Sequence, residues 1–539
     1  MSVFDGMPIG GANNAPLTPI RFLTRAERYF GNRTSVIDGD RLWTWAETGQ
    51  RCRALASALT DLGVRPGDTV AVMAPNCVAM FEAQFAVPLS GAVINNINVR
   101  IEPRTLAYIL DHGEAKVLLV DAGLADTVEA ALNLSLNRPI IVIIEDDGRP
   151  GSVDLSGSAY EALVARGDPA FDAGQPRDEL QPLSLNYTSG TTGDPKGVVY
   201  DHRNAFVEAV GNLISWGVAG RPVVLWAVPI FHANGWCFLW AMAGLGAANV
   251  MVRKPAGDIL LALIQRHEVT HVCGAPIIAK MMARAPGAAD LRLNPPVRML
   301  TAGAPPDPFE FMALEAMGIQ LDQCYGLTEV WGGAIFRQSE AEWAELEPRE
   351  RAQLKVRQGI PNLVLDDMLV VFPETCDPVP RDGKTLGEVL FRGNVVMRGY
   401  LKDARATEMA FRDGYFHSGD LAVWYPDGSI EIKDRAKDII ISGGENISSV
   451  ELERAIAEIA GVIGVAVIGV PDAQWGERPW AFVERAEGVN LDEEHVLAEC
   501  RQRLVGFKMP KGVSFQSIPR TPTGKVQKFA LRLELEKGQ

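Results

Sequence analysis

From residue 69 to about residue 330, short apolar runs rich in β-branched residues alternate with segments of helical periodicity. A strand that is apolar throughout has to be covered on both faces, and helices supply the cover. DTVAVMAP, closed by Pro75, is the first such run, and NCVAMFEAQFAVPLSGAV reads as the helix after it. KVLLVD (116–121) and PIIVIIED (139–146) repeat the pattern between turn residues. The alternation predicts an α/β architecture built on parallel strands. Upstream, residues 21–62 predict two helices with a short strand-turn, SVIDGDRLWTW, between them.

The texture changes near residue 355. LVLDDMLVVF, GEVLFRG, GYFHSGDLAVWYPDG and SIEIKDR are short strands separated by DG and GD turns. They predict an antiparallel barrel or meander. After Arg435 a compact α+β segment follows, with helices at SSVELERAIAEI and DEEHVLAECRQRL and strands at VAVIGV and PWAFVER. The expected division is a large N-terminal domain over 1–434, of α/β subdomains plus a small β-barrel-like one, and a small α+β C-terminal domain over 435–539.

Several function classes are disfavoured early. The formal charge of −15 repels phosphate backbones and anionic lipid, which argues against broad nucleic-acid binding but not against one local anion pocket. Seven cysteines, an odd number with no CxxC pair, fit a reducing, cytoplasmic setting better than a disulfide framework or a zinc ribbon. The N-terminal MSVFDGMPIGGANNAPL does not read as a secretory signal, and the final EKGQ matches no retrieval or peroxisomal tag. Between Arg221 and Arg253 no charged residue appears for roughly 30 residues, more than the ~20 that a bilayer-crossing helix needs. Pro222, Pro229, His232, Asn234 and several glycines interrupt that stretch, so it predicts a buried strand (VVLWAV), a turn and a buried helix (WCFLWAMAGLG) instead.

Chemistry concentrates in YTSGTTGDPKG, Tyr187 to Gly197, after a strand-like PLSLNYT. Glycines let backbone N–H groups approach a ligand, hydroxyls donate to phosphate oxygens, and Lys196 supplies positive charge. It is not a Walker A box, because Lys196 is flanked by Pro195 and Gly197; at Gly383-Lys384-Thr385, Pro378 stands where the first glycine belongs. His267-Glu268-Val269-Thr270-His271 fits HExxH, but a zinc protease needs both histidines on one helical face. Here the helix LLALIQRHE gives way to a β-branched run, so the two histidines are expected to diverge.

YTSGTTGDPKG resembles the signature loop of the adenylate-forming ligases: acyl-CoA synthetases, luciferases and peptide-synthetase adenylation domains. The resemblance extends in order through PIFHANGW (229–236), TAGAPP (301–306), QCYGLTE (323–329), YFHSGD (415–420), IKDRAKDIIISGGENIS (432–448) and RTPTGKVQK (520–528). It implies a two-step reaction. A carboxylate attacks the α-phosphate of ATP to give acyl-AMP and pyrophosphate, and a thiol then displaces AMP.

The resemblance also implies roles. Thr188, Ser189, Gly190, Thr191, Thr192, Gly193 and Lys196 would grip the β- and γ-phosphates; Glu329 would hold Mg2+, and Thr328 would contact the α-phosphate. Gly303, Ala304 and Pro305 would line the adenine on one side, with Tyr325 against it. Asp420 would accept from both ribose hydroxyls, since a carboxylate offers acceptors only. Arg435 would donate to ribose or phosphate. Lys525 would swing in to meet the α-phosphate and the substrate carboxylate, and Lys528 is a weaker candidate that also reads as a surface charge. Lys437 lines up with the hinge about which the mobile C-terminal domain turns, so that Lys525 leaves before the thiol enters. Gly443, Gly444, Trp475 and Gly476 would line the pantetheine tunnel of coenzyme A.

His232 would sit at the mouth of the acyl pocket; a core histidine bonded to backbone is the alternative. Trp236, Phe231, Ala302, Gly303, Trp331 and Gly332 are the other candidates for that pocket. Two indoles there would shorten it and favour a short, medium, branched or aromatic acid. No Asp lies between Ile230 and Trp240 to hold a substrate amine, which disfavours amino acids. Little chain follows Lys525, which favours free coenzyme A over a tethered carrier domain. The expected partners are thus ATP, Mg2+, coenzyme A and a small carboxylic acid, without nucleic acid or a membrane span. A homodimer is also among the expectations. A ligase that passes its acyl group to a separate carrier protein, and a non-catalytic nucleotide-binding homologue, remain as alternatives.

Overall fold

The computed structural model describes residues 7, 10–145, 155–172, 174–188, 194–303, 308–337, 340–355, 357–443, 445–504, 506–520 and 526–538. The chain divides into two compact units. One comprises residues 1–188, 195–367 and 392–409, and the other residues 189–194, 368–391 and 410–539.

The first unit carries two large sheets. In the nine-stranded sheet the order is Ile360–Pro361, Ile335–Arg337, Ile319–Tyr325, Val297–Ala302, His271–Cys273, Val223–Trp226, Ala248–Met251, Thr34–Asp38 and Arg41–Thr44. Six consecutive strands run parallel, from Ile319–Tyr325 across to Thr34–Asp38. The eight-stranded sheet has the order Gly399–Tyr400, Gly197–Asp201, Pro182–Tyr187, Val93–Asn96, Thr69–Met73, Ala115–Asp121, Ile140–Ile144 and Ser158–Ala159. The strands predicted at KVLLVD and PIIVIIED lie side by side and parallel in it. Both sheets are mixed only at their edges, where the functional motifs sit.

The long uncharged stretch is a strand, Val223–Trp226, followed by two short helical segments, Ala233–Trp236 and Phe238–Leu245. Its side chains Phe238, Leu239, Trp240 and Met242 are buried in protein. Among the described residues, no helix is long and apolar enough to cross a membrane.

In the second unit, Asp367–Val371, Leu386–Arg392, Phe416–Trp424 and Ile430–Arg435 neighbour one another in that order as a four-stranded sheet, so the barrel-or-meander expectation resolves into an open meander. A five-stranded sheet follows, centred on the long hairpin Val462–Asp472 with Gly476–Arg485. Helices Ser449–Ala457 and Glu493–Arg503 pack their apolar sides, Leu452, Ile456 and Val496, on one face. Leu531, from the helix Lys528–Gly538, covers Ile468 and Phe482.

The helix Val78–Leu89 is buried along its whole length, Glu82 included. Glu82 survives there because it is paired: Arg51 Nη2 lies 3.1 Å from its Oε2, and the Tyr160 hydroxyl donates to the same oxygen at 2.6 Å. Burial pushes its carboxyl above the usual range against the pull of Arg51. The unfolded chain therefore ionises this group first, and its contribution to stability is full below the ordinary glutamate value of about 4.3 and is lost as pH rises through the folded one. Arg51→Met leaves the buried carboxylate without its cation, which costs about 3 kcal/mol. We expect a thermal midpoint several degrees lower at pH 7.5 and a narrower gap to the unmodified protein at pH 5. A gap that widens on acidification would contradict this pairing.

Candidate active site

Two strands of the first unit frame the hydroxyl- and glycine-rich loop. Pro182–Tyr187 leads into it and Gly197–Asp201 leaves it, paired antiparallel so that Tyr187 faces Gly197. The ladder extends one step further, where the Thr188 N–H donates to the Lys196 carbonyl at 3.0 Å. Ser189, Gly190, Thr191, Thr192 and Gly193 lie outside the described residues, as do Ala304, Pro305, Gly444 and Lys525. Lys196 is exposed, and its Nζ stands 4.7 Å from the centre of the Tyr400 ring.

The Tyr400 hydroxyl donates to Glu329 Oε1 at 3.0 Å. Burial, and then the Glu329 charge, hold the Tyr400 phenol far above its ordinary range, so it stays a donor. Met397 N–H donates to the Glu329 carbonyl at 2.9 Å, which fixes the same residue from its backbone. Thr328 and Glu329 occupy a short 3-10 turn after Tyr325, the last residue of its strand and 8% exposed. Gly326 has to be glycine, because a Cβ there would fall 1.3 Å from the Gly332 carbonyl oxygen. Trp331 closes the turn in the left-handed region at φ 53°, and its amide donates to the Tyr200 hydroxyl at 2.8 Å. Its indole stacks on Tyr200 at 3.9 Å and meets Trp240 edge-on at 5.5 Å, wholly buried. One short strand, Gly197–Asp201, thus pairs with the strand before the loop and, through Tyr200, holds the Glu329 turn.

His232 is half-buried and precedes a run of left-handed backbone: Ala233, Asn234, Gly235, Trp236 and Cys237 have φ between 38° and 65°. Such a run costs roughly 1–2 kcal/mol per non-glycine residue and persists only where the surroundings impose it. Here the surroundings do so through hydrogen bonds. Asn234 Oδ1 accepts from Ser184 and Asn186 at 2.9 Å each, and Asn234 Nδ2 donates to Gln84 at 3.0 Å. Asn212 donates to the Trp236 carbonyl at 3.0 Å. The turn brings Trp236 against Gly332, where an added Cβ would meet Trp236 Cβ at 3.1 Å. Phe231 and Trp236 are buried, Ala302 is half-buried, and Gly303 is exposed at φ 104°. His232, Trp236, Trp331 and Gly332 are therefore neighbours through one short stretch of chain on each side.

Within the second unit, Asp420 and Arg435 face each other across two antiparallel strands, with Arg435 Nε 2.9 Å from Asp420 Oδ1. Asp420 is 3% exposed. Lys437 follows on an exposed turn; partial burial and the Arg435 charge lower its ammonium pKa. Gly443 and Trp475, far apart in sequence, meet: the Gly443 N–H donates to the Trp475 carbonyl at 2.7 Å, and a Cβ on Gly443 would strike the indole at 2.8 Å. Gly476, at φ 80°, pairs with Ser442 beside them.

Lys528 needs correction as a surface charge. Its side chain is 11% exposed, with Nζ 2.8 Å from Glu453 Oε1 and bonded to the Ser449 hydroxyl, and the Ser449 N–H donates to Asp434 at 2.6 Å. It ties the C-terminal helix to the strand that ends at Arg435. The HExxH histidines do diverge: the helix Gly257–Arg266 ends before His267, and His271 opens a strand.

Sequence reasoning missed Tyr400, Tyr200 and Asn234. The first two belong to no spacing pattern and act only through the pairing of Gly399–Tyr400 with Gly197–Asp201. Asn234-Gly235 did carry a signal, since Asn and Gly are the residues that favour left-handed backbone.

The donor set fits a hard cation: a carboxylate held by a phenol that remains protonated offers oxygen, as Mg2+ requires. Comparison with known proteins agrees. Residues 22–401 match the family described as "AMP-binding enzyme", and residues 451–525 match "AMP-binding enzyme C-terminal domain". The chain is 45% identical to "Probable acyl-activating enzyme 6" of Arabidopsis thaliana, over 97% of this chain and 96% of that one. It is 43% identical to a 2-methylpropanoate–CoA ligase of Humulus lupulus, over 97% and 95%. Among solved structures it is similar to ATP-bound MatB from Rhodopseudomonas palustris, with a TM-score of 0.82 at 25% identity over 97% and 99% of the two chains. ATP, coenzyme A and a carboxylic acid are its substrates, and Mg2+ is generally required by such enzymes. The chain belongs to the adenylate-forming AMP-binding enzyme family, as an AMP-forming acid–thiol ligase of the acyl-CoA synthetase type.

Proposed function

We propose that this ligase activates a short-chain acid, branched or unbranched, by the residue roles that follow. The contact between Trp236 and Gly332 supports the reading, because both are expected to line the acyl pocket and an indole there would obstruct a long chain. The 2-methylpropanoate-activating relative supports it, since that acid has a short branched chain.

In the first step a substrate carboxylate oxygen bonds to the α-phosphorus of ATP, and the bond to the leaving pyrophosphate breaks. Two anions must meet, so cations and donors determine the rate. Thr188 through Gly193 and Lys196 hold the β- and γ-phosphates, and Thr328 donates to the α-phosphate. Glu329 would hold Mg2+, which would supply neutralisation of the negative charge. Tyr400 keeps the Glu329 carboxylate in one orientation. Tyr325, Gly303, Ala304 and Pro305 receive the adenine, Asp420 accepts from the ribose hydroxyls, and Arg435 steadies Asp420 and donates beside it. Lys525 places its ammonium on the charge developing at phosphorus. His232 lies at the carboxylate end of the acid.

In the second step the thiol sulfur of coenzyme A bonds to the acyl carbon and AMP leaves. Residues 435–539 turn about Lys437 between the two steps, and Gly443, Gly444, Trp475 and Gly476 line the pantetheine path. The meeting of Gly443 with Trp475 supports that grouping. A homodimer in the cytoplasm is the assembly and location proposed; seven unpaired cysteines support a reducing compartment.

Across straight acids from two to sixteen carbons and their branched forms, kcat/KM for acyl-CoA formation should peak at five carbons or fewer, by the indole's obstruction of longer chains. Activity that climbs steadily to sixteen carbons would refute the acid class and leave the ligase chemistry standing. Lys525→Ala should abolish acyl-AMP formation and spare thioester formation from supplied acyl-AMP. Lys437→Pro should do the opposite, because a fixed φ obstructs the turn. Equal loss of both half-reactions in either variant would show that the residue is misassigned.

A further inference from the structure

Three side chains of the second unit that were given no role above converge. Cys376 lies in the loop after Phe372, Asp413 in the turn Arg412–Gly414, and His417 in the strand Phe416–Trp424. One ligand atom from each falls within 4.8 Å of the other two. Cys376 Sγ is 3.5 Å from Asp413 Oδ2, and His417 Nε2 is 3.8 Å from the same oxygen. A tetrahedral ion with bonds of about 2.0–2.3 Å separates its ligands by roughly 3.3–3.8 Å. Two edges of such a polyhedron already have the right span. The third, between Cys376 Sγ and His417 Nε2, lies within 4.8 Å, and Cys376 is partly exposed.

The histidine shows that this is more than a chance cluster. His417 is 8% exposed, and its Nε2 is buried with no hydrogen-bond partner among the described residues. A buried polar atom left in that state is costly, and a bound ion is one of the partners that relieve it. On the other side of the ring, Nδ1 lies 3.0 Å from Glu388 Oε2. A carboxylate only accepts, so Nδ1 is the donor in this pair, and Nε2 is the ring atom that faces Asp413. Metal-binding histidines characteristically have their second nitrogen held by a carboxylate in this way. Glu388 is itself anchored: its Oε1 accepts from the Gly419 N–H at 3.0 Å, and Arg412 lies 3.4 Å from Oε2.

We propose that Cys376, Asp413 and His417 bind a divalent cation of the Zn2+ class. Thiolate, imidazole and carboxylate together select a borderline-soft ion over Mg2+, which prefers an all-oxygen shell. The side chain of Asp413 is 58% exposed, which gives the ion a route in and leaves water for the fourth position. On binding, the Cys376 thiol loses its proton to solvent as the sulfur–metal bond forms. The ion staples the loop and the turn to the strand. Through His417 and Glu388 it also steadies Gly419, the residue before Asp420, and so bears on the presentation of that carboxylate.

The test titrates the full chain, free of nucleotide and Mg2+, with Co2+ as a spectroscopic substitute for Zn2+. One equivalent should bind with a sulfur-to-cobalt charge-transfer band and the intense visible bands of a tetrahedral ion, and Zn2+ should displace it. The other six cysteines are buried, so the sulfur band reports Cys376. Cys376→Ser should abolish that band, and Asp413→Ala should weaken Co2+ binding at least tenfold, by about the loss expected for a disrupted metal shell. Both variants should keep the near-ultraviolet circular dichroism of the unmodified protein. A sulfur band that survives in Cys376→Ser, unchanged affinity in Asp413→Ala, or no sulfur band at saturating Co2+ overturns the site.

Discussion

The left-handed turn over Ala233–Cys237 is the constraint on which the first unit depends. Successive non-glycine residues at positive φ are unfavourable one by one, so something stronger has to hold them. That something is the Asn234 amide, which uses both its oxygen and its nitrogen on buried partners. Two of those partners, Ser184 and Asn186, belong to the strand that leads into the phosphate loop. The third, Gln84, exchanges hydrogen bonds with Asn96 on the neighbouring strand. A small buried amide network thus fixes the turn Ala233–Cys237 relative to the strand Pro182–Tyr187. Left incomplete, such a network costs more than an apolar core would, which makes its geometry all-or-none.

A second set of contacts carries that order to the carboxylate at Glu329. Trp236 packs on Gly332, Trp331 stacks on Tyr200, and Tyr400 holds Glu329. Tyr200 lies on the strand Gly197–Asp201, and Tyr400 on a strand paired with it. The chemistry asked of the site is electrostatic, and electrostatic catalysis works through groups that are already in place when charge develops. Rigid aromatic packing beneath a charged rim is a physical route to that end. The Glu453–Lys528–Ser449–Asp434 chain gives the second unit a comparable brace close to the proposed hinge.

The parallel core was legible because it follows from local composition. A run such as KVLLVD has no polar face to offer water, so it must be covered on both sides, and it is. The loop from Tyr187 to Gly197 and the Glu329 turn stood out in the sequence because their residue types are those that phosphate and metal chemistry would call for. Tyr200 and Tyr400 did not, because a tyrosine that acts by stacking or by one hydrogen bond leaves no spacing signature. Their role exists only once two strands pair. Lys528 was misread for the same reason: its partners Ser449 and Glu453 are distant in sequence. The cluster of Cys376, Asp413 and His417 is likewise assembled by the meander, with no motif to announce it.

If the amide-pinned turn holds the acid where it can attack, the most direct reading is acid-dependent exchange of pyrophosphate into ATP by Asn234→Leu, with 2-methylpropanoate as the acid. Leucine keeps the volume and removes both hydrogen-bonding groups. The account predicts exchange reduced by about 100-fold, the usual consequence of an ångström-scale misplacement of reacting groups, in a chain whose circular dichroism shows it folded. Exchange within twofold of the unmodified enzyme would contradict it.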